Sequence, residues 1–265
     1  MSWKSSLAFA MIAIVSAAAT LPTAFGQAAE NYVAATTPNL APSAQPLVDL
    51  RIDTDIYTDL KQRPIKRSWT IFRSGVAYDY GDDSKSIVTI VDSLRGRVVL
   101  LDGQRSVKLT VPIATLWQRV SDALAAAPPA MRDVDFSAWT EQDAKPIYRV
   151  GNRQFYYEVE AADEGQPGAA GQYAQFAEAI ARLNAVLPPY LPPYIRSAIN
   201  SELASQRKIP VRIKRVAERS EVWAVLTPIW RLSDDDLQRI RESGTQLANF
   251  REVSESEFFP ALPSE

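Results

Sequence analysis

From Val48 to Ile56 the chain alternates. Val48, Leu50, Ile52 and Ile56 share one parity, while Asp49, Arg51, Asp53 and Asp55 take the other. A period of two puts those sets on opposite faces of a strand, one buried and one wet. Similar short apolar segments then recur between turn residues. Lys61-Gln-Arg-Pro64 precedes a strand over Ile65–Phe72, Arg73-Ser-Gly75 turns it into Val76–Tyr80, and Gly81–Ser84 leads to Ile87–Val91. Ser93–Gly96 then leads to Val98–Leu101, and Asp102-Gly103 opens a tight turn into Val107–Val111. Six short strands at hairpin spacing predict an antiparallel meander.

After Pro112 the period lengthens. Leu116, Trp117, Val120 and Leu124 form one stripe of a helix over Ile113–Ala127, which Pro128-Pro129 stops. Strands follow at Pro146–Val150 and Arg153–Ala161, joined at Gly151-Asn152. A Gly-rich loop, Asp163–Gly171, separates them from a helix expected to begin near Tyr173, with Phe176, Ile180, Leu183 and Leu187 at helical spacing. Ile195, Ile199 and Leu203 mark a further helix after Pro188-Pro-Tyr-Leu-Pro-Pro-Tyr194, and Ile209–Val216 with Val222–Arg231 reads as a last hairpin. Ser233 followed three residues later by Asp236 has the form of a capping box, opening a final helix to Ser243.

The N-terminus carries a different pattern. Lys4, the apolar run Leu7–Ala19 and Ala24-Phe-Gly26 match a secretory signal peptide, with cleavage expected after Gly26. Gln27–Pro46, rich in Ala, Thr, Pro, Asn and Gln, reads as a flexible leader. The expected organisation is therefore a signal over 1–26, a leader over 27–46 and one domain over 47–265, exported to the periplasm or beyond the cell. No transmembrane segment is expected.

Composition narrows the chemistry. The 29 basic and 31 acidic residues give a net charge of −2, and loss of Lys4 with the signal would leave 28 against 31, or −3. That balance argues against a nucleic-acid partner. The chain has no cysteine and no histidine. It therefore lacks disulfides, a cysteine for lipid anchoring, thiol nucleophiles, Ser-His-Asp triads and the usual ligands of zinc, copper or haem. No cofactor, no metal and no enzymatic activity are expected.

Charged clusters have plain structural readings. Alternate residues on a strand lie about 7 Å apart, so Asp49, Asp53 and Asp55, with Arg51 among them, read as a solvated face and not a calcium site. Asp234, Asp235 and Asp236 suit a positive helix start. Pro189 and Pro192 have the spacing read by peptide-binding grooves, yet lie between helices as a connector. Lys208, Arg212, Lys214, Arg215 and Arg219 form the densest basic stretch, read as a solvated sheet edge that an anionic headgroup or polysaccharide could also use. Aromatic residues are abundant in the strands and on the facing helices, where a curved sheet over helices can enclose an apolar ligand.

Ser86-Ile-Val-Thr-Ile-Val-Asp92, Gly96-Arg-Val-Val-Leu-Leu-Asp102 and Ser106-Val-Lys-Leu-Thr-Val111 lie within the meander Leu47–Val111. This segment resembles the half-barrel of the periplasmic lipoprotein-carrier (LolA/LolB-like) superfamily. The resemblance implies a strongly curved antiparallel sheet wrapped around helices, with an apolar cavity for acyl chains. It carries over no functional residue.

The expectation is thus an α+β protein with a curved antiparallel, half-barrel-like sheet of about eight to ten strands packed on three or four helices. Its leading function is non-catalytic binding or chaperoning of an apolar or lipid-like ligand, with Trp69, Phe155, Tyr157, Phe176 and Trp223 as cavity lining. A structural or protein-interaction role in the cell envelope, with an envelope protein as partner, is the alternative. A carboxylate-dependent hydrolase comes third and would need two facing carboxylates.

Overall fold

A computed structural model describes residues 46–83, 87–126, 147–151, 155–186, 194–217 and 220–259. The signal-like segment and almost all of the leader lie outside them, as do the connector prolines and Arg219. The meander forms β1 (Leu50–Tyr57), β2 (Lys66–Arg73), β3 (Val76–Gly81), β4 (Val88–Asp92), β5 (Arg97–Asp102) and β6 (Val107–Pro112). Helix α1 (Ile113–Ala126) is followed by β7 (Ile147–Gly151), β8 (Phe155–Asp163), α2 (Ala169–Val186) and α3 (Tyr194–Ser205). The hairpin β9 (Lys208–Ala217) and β10 (Ser220–Ile229) then leads to α4 (Asp234–Asn249), β11 (Arg251–Glu252) and α5 (Glu255–Phe258).

Among the described residues these strands make one open sheet in the order β11-β6-β5-β4-β3-β2-β1-β10-β9-β8-β7. Every pairing is antiparallel except β11 on β6. The fold class is α+β, a curved, unclosed sheet packed against helices. In β1 the strict alternation of buried and half-buried residues follows the sequence parity. Ser74 and Gly75 at the β2–β3 turn both have positive φ, 51° and 77°, which matches the right-handed twist of a two-residue hairpin.

The inner face of the sheet carries Leu50, Ile52, Phe72, Ala77, Val91, Val98, Leu100 and Ile213, packed with Leu116 of α1, Phe176, Ile180 and Leu183 of α2, and Ile199 of α3 in one core. The outer face is also covered. Ile90, Val99 and Leu101 pack with Tyr78 and with Leu247 and Phe250 at the end of α4. Tyr80 Oη lies 3.0 Å from Ser243 Oγ of the same helix. The molecule therefore has three layers: α1–α3, the sheet, and α4.

The start of α4 is the capping box expected from its sequence. Ser233 Oγ accepts from the Asp236 backbone N–H, and Asp236 Oδ2 accepts from the Ser233 N–H at 2.9 Å. Arg51 Nη1 donates to Asp236 Oδ1 at 3.1 Å and ties the helix start to β1. At the other end Lys108 Nζ donates to the Leu247 carbonyl at 2.6 Å, a cation on the negative helix terminus.

Three boundaries depart from the sequence expectation. Helix α2 opens at Ala169 rather than near Tyr173, because Glu164 Oε2 accepts from the backbone N–H groups of Gly168 and Ala170, both at 3.1 Å, and caps the helix start within the Gly-rich stretch. Helix α4 continues past Ser243 to Asn249. The C-terminal strap of β11 and α5 had no periodicity to announce it, and it brings the described elements to eleven strands and five α-helices.

Candidate functional site

A row of small polar residues crosses the inner face of the sheet. Thr54 of β1 faces Ser68 of β2 in register, Thr70 of β2 faces Asp79 of β3, and Asp79 faces Thr89 of β4. All five are buried. Above this row, between the sheet and helices α2 and α3, lies a partly open cavity of about 50 Å³. Its apolar wall is Ile52, Leu226, Phe176, Ala177, Ile180 and Ala181. Its polar wall joins Thr54, Ser68, Thr70 and Asp79 from the sheet to Tyr157 of β8, Tyr173 and Asn184 of α2, and Arg196 of α3.

The hydrogen bonding of the polar wall is incomplete among the described residues. Thr70 Oγ1 donates to Asp79 Oδ1 at 2.7 Å, while the buried Oδ2 has no partner. Arg196 Nη2 donates to Tyr173 Oη at 2.9 Å, while the buried Nη1 has none. Asn200, one turn along α3 from Arg196, is likewise buried with neither side-chain atom partnered. Such atoms are costly in an interior, on the order of 1–3 kcal/mol each, unless a ligand or solvent satisfies them.

Electrostatics set the protonation of this wall. Burial pushes the Asp79 carboxyl up to about 8, outweighing the Thr70 hydrogen bond and the Lys66 charge that pull it down. Burial also lowers Lys66, with Asp79, Asp82 and Asp83 opposing that shift. Tyr157 and Tyr173 are raised by burial, opposed at Tyr157 by the charges of Arg215 and then Arg196, and at Tyr173 by Arg196. Asp79 is the single carboxyl on the cavity wall among the described residues. A pair of facing carboxylates, which glycosidic hydrolysis would require, is not formed there.

The side chains expected to line a cavity separate by strand parity. Tyr157 and Phe176 are on its wall. Trp69 sits between Ser68 and Thr70 and therefore points to the outer face, stacked on Tyr80 with ring centroids 6.4 Å apart. There it lies under Arg51 and Arg239, whose guanidinium carbons are 5.8 and 4.8 Å from its ring. Trp223 alternates with the inward Val222 and Ala224, and its outward ring carries Lys214 Nζ at 4.9 Å. The Phe155 side chain lies outside the described residues. Asp79, Thr70 and Arg196 went unrecognised in the sequence, although Thr54 interrupts the apolar parity of β1 and marks where the polar row begins.

The charged surfaces resolve into ion pairs. The basic strand β9 lies inside the sheet between β10 and β8, so it is not an edge. Arg212 pairs with Glu160 at 2.7 Å, Lys214 with Glu221 at 3.0 Å, and Lys208 with Asp163 at 2.8 Å. On the outer face of β1, Arg51 pairs with Asp53 and Arg67 with Asp55. No group of three or more potential metal ligands occurs among the described residues. No described helix is long and apolar enough to cross a membrane.

A scan against protein-family models and a search of curated proteins find no match. Among solved structures, a LolA superfamily protein of Nitrosomonas europaea aligns over 72% of this chain and 90% of that one, with 8% identity and a TM-score of 0.29. At that level the sheet order, not the likeness, defines the fold. Fold and site together describe an open-sheet α+β protein with a polar-and-apolar cavity between its sheet and two helices.

Proposed function

We propose that this protein binds an amphipathic, lipid-like ligand, holding one end of it in the cavity beneath α2 and α3. The observation that carries the proposal is the division of the cavity wall. Phe176, Ile180, Ile52 and Leu226 offer apolar contact, while Asp79 and Arg196 offer buried polar atoms without partners among the described residues. Ligand pockets combine apolar walls with a few convergent polar groups in this manner. A volume of about 50 Å³ suits a head group or a few carbons. A long chain would require α2 and α3 to draw back from the sheet.

The proposed role is binding, not catalysis. The absence of histidine and cysteine and the single carboxyl on the described wall support that choice. We further propose that the chain acts outside the cytoplasm, on the strength of Lys4, Leu7–Ala19 and Ala24-Phe-Gly26 at its start.

The test is native mass spectrometry of the protein purified gently from its own cells, with solvent extraction of bound molecules. A reproducible adduct of lipid mass supports the carrier role. A bare chain mass with an empty extract counts against a loaded carrier and favours a structural role in the envelope.

A further inference from the structure

Resting on the reading of the cavity as an amphiphile site, we propose that its ligand carries an anionic oxygen group, a carboxylate or a phosphate, received by Arg196 with Asp79 opposite. Arg196 is only 8% exposed and lines the cavity, with its Nη1 buried and unpartnered among the described residues. Its Nη2 donates to the Tyr173 hydroxyl, which is neutral. A buried guanidinium without a carboxylate is unfavourable, and an anion in the adjoining space would satisfy both its charge and its open N–H.

The surroundings favour the same sign of ligand. Arg215, 3% exposed on the inner face of β9, faces Tyr157 in register. The other buried guanidinium in this layer, Arg182, already pairs with Glu178. Glu178 also accepts from Ser197 Oγ of α3 at 2.7 Å, so its carboxylate is engaged by Arg182 and Ser197. The groups facing Asp79 are Thr70 and Lys66 from β2, Thr89 from β4 and Tyr173 from α2. With its carboxyl held at about 8, Asp79 at neutral pH presents a hydroxyl donor through Oδ2 and does not repel an anion. The apolar wall of Phe176, Ile180 and Leu226 then takes the first carbons of the tail.

The experiment is calorimetric titration of the purified full chain with decanoate, decyl phosphate, decanol, acetate and inorganic phosphate at pH 7. A hydrogen-bonded charge of this kind should favour decanoate or decyl phosphate over decanol by at least about tenfold, and the stronger of the two identifies the head group. Arg196→Met should bring both down to the decanol level. Arg196→Lys should keep most of the preference. If Arg196→Met fails to fold by circular dichroism, Tyr173→Phe serves instead, since losing the phenol that holds the guanidinium should weaken the anions several-fold more than it weakens decanol.

Equal binding of all three ten-carbon ligands by the unmodified protein overturns the anionic assignment and leaves the amphiphile reading intact. Acetate or inorganic phosphate binding as tightly as the ten-carbon anions overturns the amphiphile reading and leaves the anion site. Failure of every probe to bind overturns both.

Discussion

Replacing Asp79 by Asn should stabilise the protein, increasingly so as pH rises. The carboxyl is 3% exposed and its value is raised by burial from 3.8 to about 8. Between those limits the folded state keeps a proton that the unfolded chain has released. The stabilisation is therefore complete below pH 3.8 and is lost progressively as pH climbs through about 8. Each pH unit in that window corresponds to about 1.4 kcal/mol, so at pH 7 the ceiling on the cost is about 4 kcal/mol. Asn stays neutral throughout and can still accept from Thr70 through Oδ1. Urea unfolding followed by tryptophan fluorescence from pH 5 to 9, on both proteins, isolates this one titration from all others. The gap in favour of Asp79→Asn should widen by up to about 1.4 kcal/mol per unit and level off above about pH 8. A constant gap would refute the buried neutral carboxyl. A gap of opposite sign would mean that Lys66 holds Asp79 as an ion pair.

Other perturbations test the frame around the cavity. Ser233→Ala should cost about 1 kcal/mol by removing the cap of α4, read as a lower urea midpoint. Asp236 is raised by its burial but held below the ordinary carboxylate range by the Ser233 N–H and hydroxyl and by Arg51. Its contribution should vanish as pH falls through that lowered value, so thermal melts of Asp236→Asn and the unmodified protein should converge only at strongly acid pH. Gly168→Ala should destabilise by about 1–3 kcal/mol, because φ is +95° and a Cβ would sit 2.4 Å from the Pro46 carbonyl oxygen. Gly244→Ala, on α4 with nothing within 4 Å, should instead raise the melting temperature, by about 0.5–1 kcal/mol of stability. Gln172→Leu should cost about 2–4 kcal/mol in the same unfolding assay. It strips the partners from both the N–H and the carbonyl of Val48, now bonded to the Gln172 amide at 2.7 and 3.1 Å.

Much of the scaffold was legible because its rules are local. The alternation through β1, the glycine turns and the Ser233–Asp236 cap each depend on neighbours within a few residues. The cavity depended on which face each strand turns inward, and there the sequence was ambiguous. Strand β2 carries Phe72 inward and Ile71 outward, both almost fully buried, since α4 covers the outer face. With apolar residues on both parities, Trp69 could not be assigned a side. Asp79 was hidden for the same reason, flanked by Tyr78 and Tyr80 that read as the buried set but pack toward α4. The usable signal was Thr54, a polar residue on the inward parity of β1, whose row continues across the sheet to Asp79 only once register is known. Arg196 offered no such mark, since an arginine on an amphipathic helix reads as solvated.

The pairing of β1 with β10 joins segments about 170 positions apart, Arg51 opposite Ile229 and Tyr57 opposite Trp223. Within the described sheet it is the one seam between the meander β1–β6 and the strands β7–β10. The two-residue strap β11 closes on β6 at a similar remove, Arg251 opposite Val107. Early in synthesis both flanks of the meander are open edges, and neither can be covered until almost the whole chain exists. Folding should therefore be slow and concerted near its end. A chain cut short before β10 would retain a six-stranded ribbon with two unguarded borders, prone to pair with copies of itself instead of waiting for its own last strands.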